Sequence, residues 1–237
     1  MIVPRVHDLY HSNKVNFGSL ATDGGIWGVV HKATQGLGFT DPLYKTREAL
    51  ALRAGLLAGA YDFSTDDDVE ANVARFVSIV EPSDNIAMVL DFEDSTHNAM
   101  SGAEAYEFLD RLAQATGRAP ILYGGNRIVE QIDPQDPKWI DMAGWVRLWR
   151  ARYIRGQPAD NAALLKAVGT IPPWTALFMV QYAADGDGPF PHQVPGSEPK
   201  ADLSVVPFDT KAELAANWAG APVTKSPTMT APLKKDE

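Results

Sequence analysis

The chain has 237 residues, 45% of them apolar, a formal net charge of -9 and no cysteine. That length and composition suit one packed domain of the size of an α/β barrel or a large α/β sheet. The acidity argues against a nucleic-acid partner, whose phosphates are held mainly by Lys and Arg, and gives no general attraction to an anionic surface. Without cysteine there is no disulfide, thiolate metal site or cysteine nucleophile.

In chain order, a strand is predicted at 3–9 and a second at 26–33. The second precedes an amphipathic helix over 41–54, opened by Thr40 as N-cap with Pro42 in the first turn and stopped by Gly55. A strand at 56–63 leads to a helix over 66–80. Val69, Val73, Phe76, Val77 and Val80 share one face of that helix, behind an acidic first turn of Asp66, Asp67 and Asp68. The strand at 86–93 is followed by a helix that starts with Ser101 and Glu104 in capping-box spacing, turns Phe108, Leu109 and Leu112 inward, and ends at Gly117. Strands at 119–124, 146–151, 177–182 and 201–206 complete the series, with one weaker helix at 159–168 and Pro/Gly-rich loops such as 185–199.

About eight strands with fewer outer helices favour an irregular (β/α) TIM-like barrel over an open sheet. Residues 1–218 are expected to form this single domain, and 219–237, rich in Pro, Thr, Ser and Lys, a flexible tail. MIVPRVHDLY meets His7 and Asp8 before any apolar run of signal-peptide length, and no stretch reaches the length of a membrane span. Synthesis in the cytoplasm, no membrane insertion, and another route to any outside target are expected.

The segment Ile86-Ala-Met-Val-Leu-Asp-Phe-Glu93 carries the most chemistry. Strand periodicity puts Ala87, Val89, Asp91 and Glu93 on one face and Ile86, Met88, Leu90 and Phe92 on the other. Two carboxylates at the end of an apolar strand are costly unless paired or at a solvated mouth, and the mouth is where β/α barrels catalyse. Like charges in partial burial raise the proton affinity of one carboxyl, as a general acid requires. The plainer alternative is a strand running out into a solvated loop through Asp94 and Ser95.

Asp8 ends the first strand and Asp202 lies in the last, so both enter the same mouth if the barrel closes. Each alone could be an ordinary strand-end Asp. Tyr61 and Asp62, Tyr123, Trp149, and Gln181 with Tyr182 end or occupy other strands. Aromatic rings there suit sugars, whose C–H faces stack on them, or else simply pack the rim. His7, Asp8 and His11 are not spaced as a helical zinc motif, and His31, His97 and His192 add no pattern, so no metal or other cofactor is expected.

These residues resemble the glycoside hydrolase family 25 muramidases, also called Chalaropsis-type lysozymes, over about residues 5–208. The likeness rests on an ordered series that starts with Val6-His-Asp8, His31-Lys-Ala-Thr-Gln-Gly36 with Phe39-Thr-Asp41, and Ala54-Gly-Leu-Leu-Ala-Gly-Ala-Tyr-Asp-Phe63. It continues through Leu90-Asp-Phe-Glu93, Pro120-Ile-Leu-Tyr123, Leu148-Trp-Arg-Ala-Arg-Tyr153, Val180-Gln-Tyr182 and Ala201-Asp-Leu203. The resemblance implies an irregular barrel, a peptidoglycan glycan strand as partner, and cleavage between N-acetylmuramic acid and N-acetylglucosamine. It implies Glu93 as general acid, Asp91 as the assisting carboxylate, Asp8 and Asp202 as acids of the site floor, and Tyr61 and Tyr123 lining the sugar site.

This chain departs from the family pattern at Gln35, where Glu is usual, at Asp62, where His is usual, and at Ser204 and Tyr10. All four acids are intact, and Asp62 is expected as a fifth carboxyl near the mouth. A monomer is expected. The rival readings are a carbohydrate-binding barrel without catalysis and a retaining glycosidase of a related N-acetylated glycan such as chitin.

Overall fold

Strands that are apolar on both faces need cover on both, and a closed ring with helices outside supplies it. The computed structural model describes residues 1–94, 99–198 and 201–223. β1 (Val6–Leu9) is followed by the short β2 (Lys14–Val15) and α1 (Phe17–Thr22). β3 (Gly28–Gln35) and β4 (Phe39–Thr40) lead into α2 (Tyr44–Arg53). This helix starts later than the sequence predicts, because the residues expected to open it are engaged elsewhere. Thr40 lies in β4 and accepts from Arg75, while Asp41 accepts from the backbone amides of His11 and Leu43. Leu43 takes the cap position without a side-chain bond.

β5 (Leu57–Phe63), α3 (Val69–Val80), β6 (Ile86–Asp91), α4 (Gly102–Thr116) and β7 (Ile121–Gly124) alternate as expected. Asp68 caps α3 through the Ala71 amide, so the acidic run precedes the helix rather than forming its first turn. Ser101 and Glu104 form the full capping box of α4, and Gly117 closes it in the left-handed region. α5 (Asn126–Gln131) and α6 (Pro137–Ala143), neither predicted, precede β8 (Arg147–Ala151). α7 (Asn161–Val168), β9 (Met179–Ala183), β10 (Ser197–Glu198), β11 (Asp202–Val205) and an unpredicted α8 (Lys211–Trp218) complete the order.

β1, β3, β5, β6, β7, β8 and β9 run parallel, and β11 inserts antiparallel between β9 and β1. The result is a closed eight-stranded barrel. β6 shows how alternation sorts the core. Ala87 and Val89 pack in the lumen with Val30, Ile121 and Trp149, whereas Met88, Leu90 and Phe92 pack outside with Phe76, Phe108 and Leu109. No helix of the described residues is long and apolar enough to cross a membrane.

The N-terminal end of the barrel is stopped by α8. Trp218, buried, donates from Nε1 to the Ala58 carbonyl at 2.6 Å, and its ring edge lies 3.0 Å from where a Cβ on Gly28 would sit. Arg147 holds this end shut by donating to the Trp218 and Ala119 carbonyls at 2.9 and 2.8 Å. The next residues run along the entry to β7, with backbone bonds from Ala119 to Ala221 and from Val223 to Gly117. The rest of the expected tail, 224–237, lies outside the described residues.

Trp218→Ala removes both the plug and its hydrogen bond. It is expected to cost about 3–5 kcal/mol of unfolding free energy, measured as a lower urea midpoint at an unchanged slope. An unaltered midpoint would show that α8 does not help to close the barrel.

Candidate active site

Parallel strands bring their C-terminal ends to one mouth, and β11, running the other way, brings its first residue there. Asp91 therefore stands in register with Phe63 on one side and Tyr123 on the other, with Trp149 next to Tyr123. Asp8 and Asp202 are directly paired across β1 and β11, where facing side chains are about 5 Å apart. Glu93 follows β6 by two residues. The cleft they line has a volume of about 260 Å³.

Close backbone contacts fix the end of β6. The Phe92 amide donates to the Tyr123 carbonyl at 2.8 Å and the Ser64 amide to the Asp91 carbonyl at 2.9 Å. A Cβ on Gly124 would fall 2.7 Å from the Phe92 carbonyl, so only glycine lets these chains approach so closely. Arg127 covers Phe92 with its guanidinium, 5.1 Å from the ring centre, and forms an ion pair with Asp94.

A hydrogen-bonded chain links the acids. Gln181 donates from Nε2 to Asp8 Oδ2 at 2.9 Å, and its Oε1 accepts from the hydroxyls of Tyr123, at 2.8 Å, and Tyr153. The Tyr123 hydroxyl also lies 3.3 Å from Glu93 Oε1. Its single proton serves one acceptor at a time. Turned to Glu93, it supports the carboxylate. Turned to Gln181, it leaves the phenol oxygen to accept from a protonated Glu93, so one contact accommodates both states of an acid/base residue.

Burial raises the proton affinity of Glu93, with the nearby Asp94 charge adding and the Tyr123 bond and Lys32 opposing. Burial pushes Asp91 well above the carboxylate range, helped by Glu93 and resisted by Lys32. Asp8 moves the same way through burial and the facing Asp202. Asp202, less enclosed, is pushed by burial up to about 6. Asp8 Oδ1 and Asp91 Oδ1 are buried without a hydrogen-bond partner among the described residues.

The structure thus brings together Asp8, Asp91, Glu93, Asp202, Tyr61, Tyr123, Trp149 and Gln181, as expected. Trp149 is anchored by an Nε1 bond to Ser204 Oγ at 3.0 Å and meets Tyr123 edge to face, with centroids 4.8 Å apart. Two expected site residues do not join them. Asp62 and Tyr182 each neighbour a lumen residue in sequence, and strand alternation turns them to the outer face. Asp62 lies behind β5, where it accepts from Thr34 at 2.5 Å and Asn72 at 3.2 Å. Burial raises it to about 7. Tyr182 packs in the outer core and donates to the Pro191 carbonyl at 2.9 Å.

Sequence reasoning missed Lys32, Phe63 and Tyr153, although each shares the lumen parity of its strand with Val30, Tyr61 and Ala151. Lys32 is the only Lys or Arg among the described residues that line the cleft. Its ammonium sits 4.7 Å from the Phe63 ring centre and donates to Gln35 Oε1 at 3.1 Å. His7, one of the residues weighed for a metal site, is engaged through both ring nitrogens: Nδ1 donates to the Asp202 carbonyl at 2.9 Å and Nε2 accepts from Ser197 at 2.8 Å. No group of three or more metal-ligating side chains occurs among the described residues.

The family model for glycosyl hydrolases family 25 matches residues 7–189. No curated protein matches significantly in sequence. Among solved structures, the bacterial lysozyme of Streptomyces coelicolor is similar with a TM-score of 0.74 at 21% identity, covering 92% of this chain and 97% of that one. A muramidase from Trichobolus zukalii gives 0.69 at 23% identity over 92% and 100% of the two chains. A family GH25 lysozyme from Aspergillus fumigatus gives 0.68 at 21% over 92% and 99%. At these identities the likeness is one of fold.

Two outcomes follow from the charges. Lys32 lowers the proton affinity of Asp91 and Glu93, so Lys32→Met is expected to move both limbs of the pH–rate profile of glycan hydrolysis to higher pH. An unmoved profile would remove Lys32 from the site's electrostatics. Asp62 holds its proton more tightly folded, near 7, than at its ordinary 3.8. Its contribution to stability is therefore fully present below about 3.8 and is lost as pH rises through 7. Asp62→Asn should flatten the fall in urea midpoint between those pH values. A slope equal to wild type would contradict this.

Proposed function

Because this chain belongs to glycosyl hydrolases family 25 and is a glycoside hydrolase, we propose that its substrate is peptidoglycan and that it cleaves the β-1,4 bond between N-acetylmuramic acid and N-acetylglucosamine. The observation that carries this reading is the pairing of Asp91 and Glu93 at a buried aromatic mouth, with the Tyr123 phenol placed to serve either protonation state of Glu93. The names borne by similar structures, lysozyme and muramidase, point the same way.

Glu93 starts protonated and gives its proton to the leaving glycosidic oxygen as an oxocarbenium-like centre develops. Burial favours that starting state, since the neutral acid loses least on leaving water. Asp91, which lines the cleft, takes the N–H of the substrate's 2-acetamido group, and the acetamido oxygen closes on the anomeric carbon. Glu93 then removes a proton from the incoming water, which opens that ring with net retention. Asp8 and Asp202 hold the floor of the cleft through Gln181 and their strand pairing, and Tyr61 and Trp149 face the sugars.

Digestion of purified peptidoglycan followed by reduction of the products tests the reading. New N-acetylmuramic acid ends, first formed as the β-anomer by NMR, are expected; glucosamine ends would reassign the bond and an α-anomer the mechanism. Glu93→Gln should lower turnover at least about a thousandfold while the fold is retained. Full activity in that variant would overturn the role of Glu93.

A further inference from the structure

Beyond the cleft, the loop between β9 and β10 carries a solvent-exposed aromatic ring on a tightly fixed backbone. Phe190 is 68% exposed. Its own amide donates to Gln157 Oε1 at 2.9 Å, and Gln157 Nε2 donates back to its carbonyl at 2.8 Å. The Pro191 carbonyl accepts from Tyr182, and the His192 carbonyl accepts from the Ala201 amide. The His192 ring stacks on Phe190 with centroids 4.4 Å apart and planes 22° from parallel, and donates from Nε2 to the Gly188 carbonyl at 2.8 Å. An apolar ring left in water while its main chain is bound from three sides is preorganised for contact.

Phe190, Pro191, His192, Gln157 and Pro158 line an open groove of about 940 Å³. It is next to the catalytic cleft along the chain: Ala184 and Asp185 line the cleft, and Gly186, the following residue of the same loop, lines the groove. On its other side Tyr153 lines the cleft and Gln157 the groove. Five residues of chain separate Asp185 from Phe190, at most about 18 Å, and four separate Tyr153 from Gln157, at most about 14 Å. The described groove lining contains no Asp, Glu, Lys or Arg, and the Met1 ammonium at its edge is bound to the Ala159 carbonyl. A muramyl unit with its peptide stem would bring several carboxylates, against which the described lining offers the Met1 ammonium alone.

We propose that this groove is a distal subsite for an uncharged N-acetylhexosamine unit of the same glycan strand, stacked on the Phe190–His192 pair. The inference rests on the reading of the cleft given above, and extends it from the scissile bond to the length of strand the enzyme grips. Glycans that reach the groove then bind more tightly than those that end in the cleft, and the gain depends on an aromatic ring at position 190.

The test uses the full chain carrying Glu93→Gln, so that bound strands stay intact, titrated by calorimetry with peptide-free peptidoglycan tetrasaccharide and octasaccharide. The octasaccharide is expected to bind about three- to tenfold more tightly, an aromatic contact's worth of affinity. Adding Phe190→Ala should bring the ratio of the two affinities to near unity, and Phe190→Trp should retain it. A ratio unchanged by Phe190→Ala, or a length advantage seen only with stem-bearing strands, overturns the subsite. Failure of the wild-type chain to release reducing ends from peptidoglycan would instead overturn the substrate reading, so the two failures are told apart.

Discussion

Four carboxyl groups, Asp8, Asp91, Glu93 and Asp202, share one mouth that Asp185 also lines, and Lys32 is the only Lys or Arg of the described lining. Holding them all ionised there would be very unfavourable. The rest of the site follows from how that cost is met. Burial shifts the acids toward their neutral forms, Gln181 gives one N–H to Asp8, and Tyr123 shares its proton between Gln181 and Glu93. Lys32 opposes that shift for both acids on β6 without reversing it. The same tension that makes the mouth poor for stability makes it rich in protons held at adjustable affinity.

Lys32 also gives physical meaning to one departure from the family pattern. Its ammonium bonds to Gln35, a neutral amide, at the place where a carboxylate is usual. A glutamate there would draw the ammonium into an ion pair. With Gln35 the full charge remains available to Asp91 and Glu93. Asp62 is a different case. On the outer face, tied to Thr34 and Asn72, it joins β3, β5 and α3 and touches no part of the cleft.

The barrel and its four acids were legible because they rest on strand alternation and strand ends, both local properties. Every predicted strand overlaps an observed one, and the lumen face of β6 is the one its sequence implies. The errors came from applying the alternation incompletely. Neighbours such as Tyr61 with Asp62, and Gln181 with Tyr182, cannot both face inward, and counting outward from Val30 or Trp149 in steps of two finds Lys32 and Tyr153. α8 was also within reach, since Thr210 and Glu213 stand in the same capping-box spacing as Ser101 and Glu104. The start of α2 was not, because the engagements of Thr40 and Asp41 with Arg75 and His11 are made by distant parts of the chain. The platform at Phe190 depends likewise on Gln157 and Tyr182, which sequence order alone does not bring near it.

The pairing of β1 with β11 has a consequence for the life of the chain during synthesis. Asp8 leaves the ribosome long before Asp202, yet the two sit opposite each other. Closing so long a loop comes late and slowly, since its entropy must be overcome before the contact is gained. A nascent chain that has already formed β6 with Asp91 and Glu93 still lacks a wall of its mouth, and the acid opposite Asp8 has yet to be made. The full set of acids at the mouth is thus gathered only when β11 joins β1 and the ring of strands is complete.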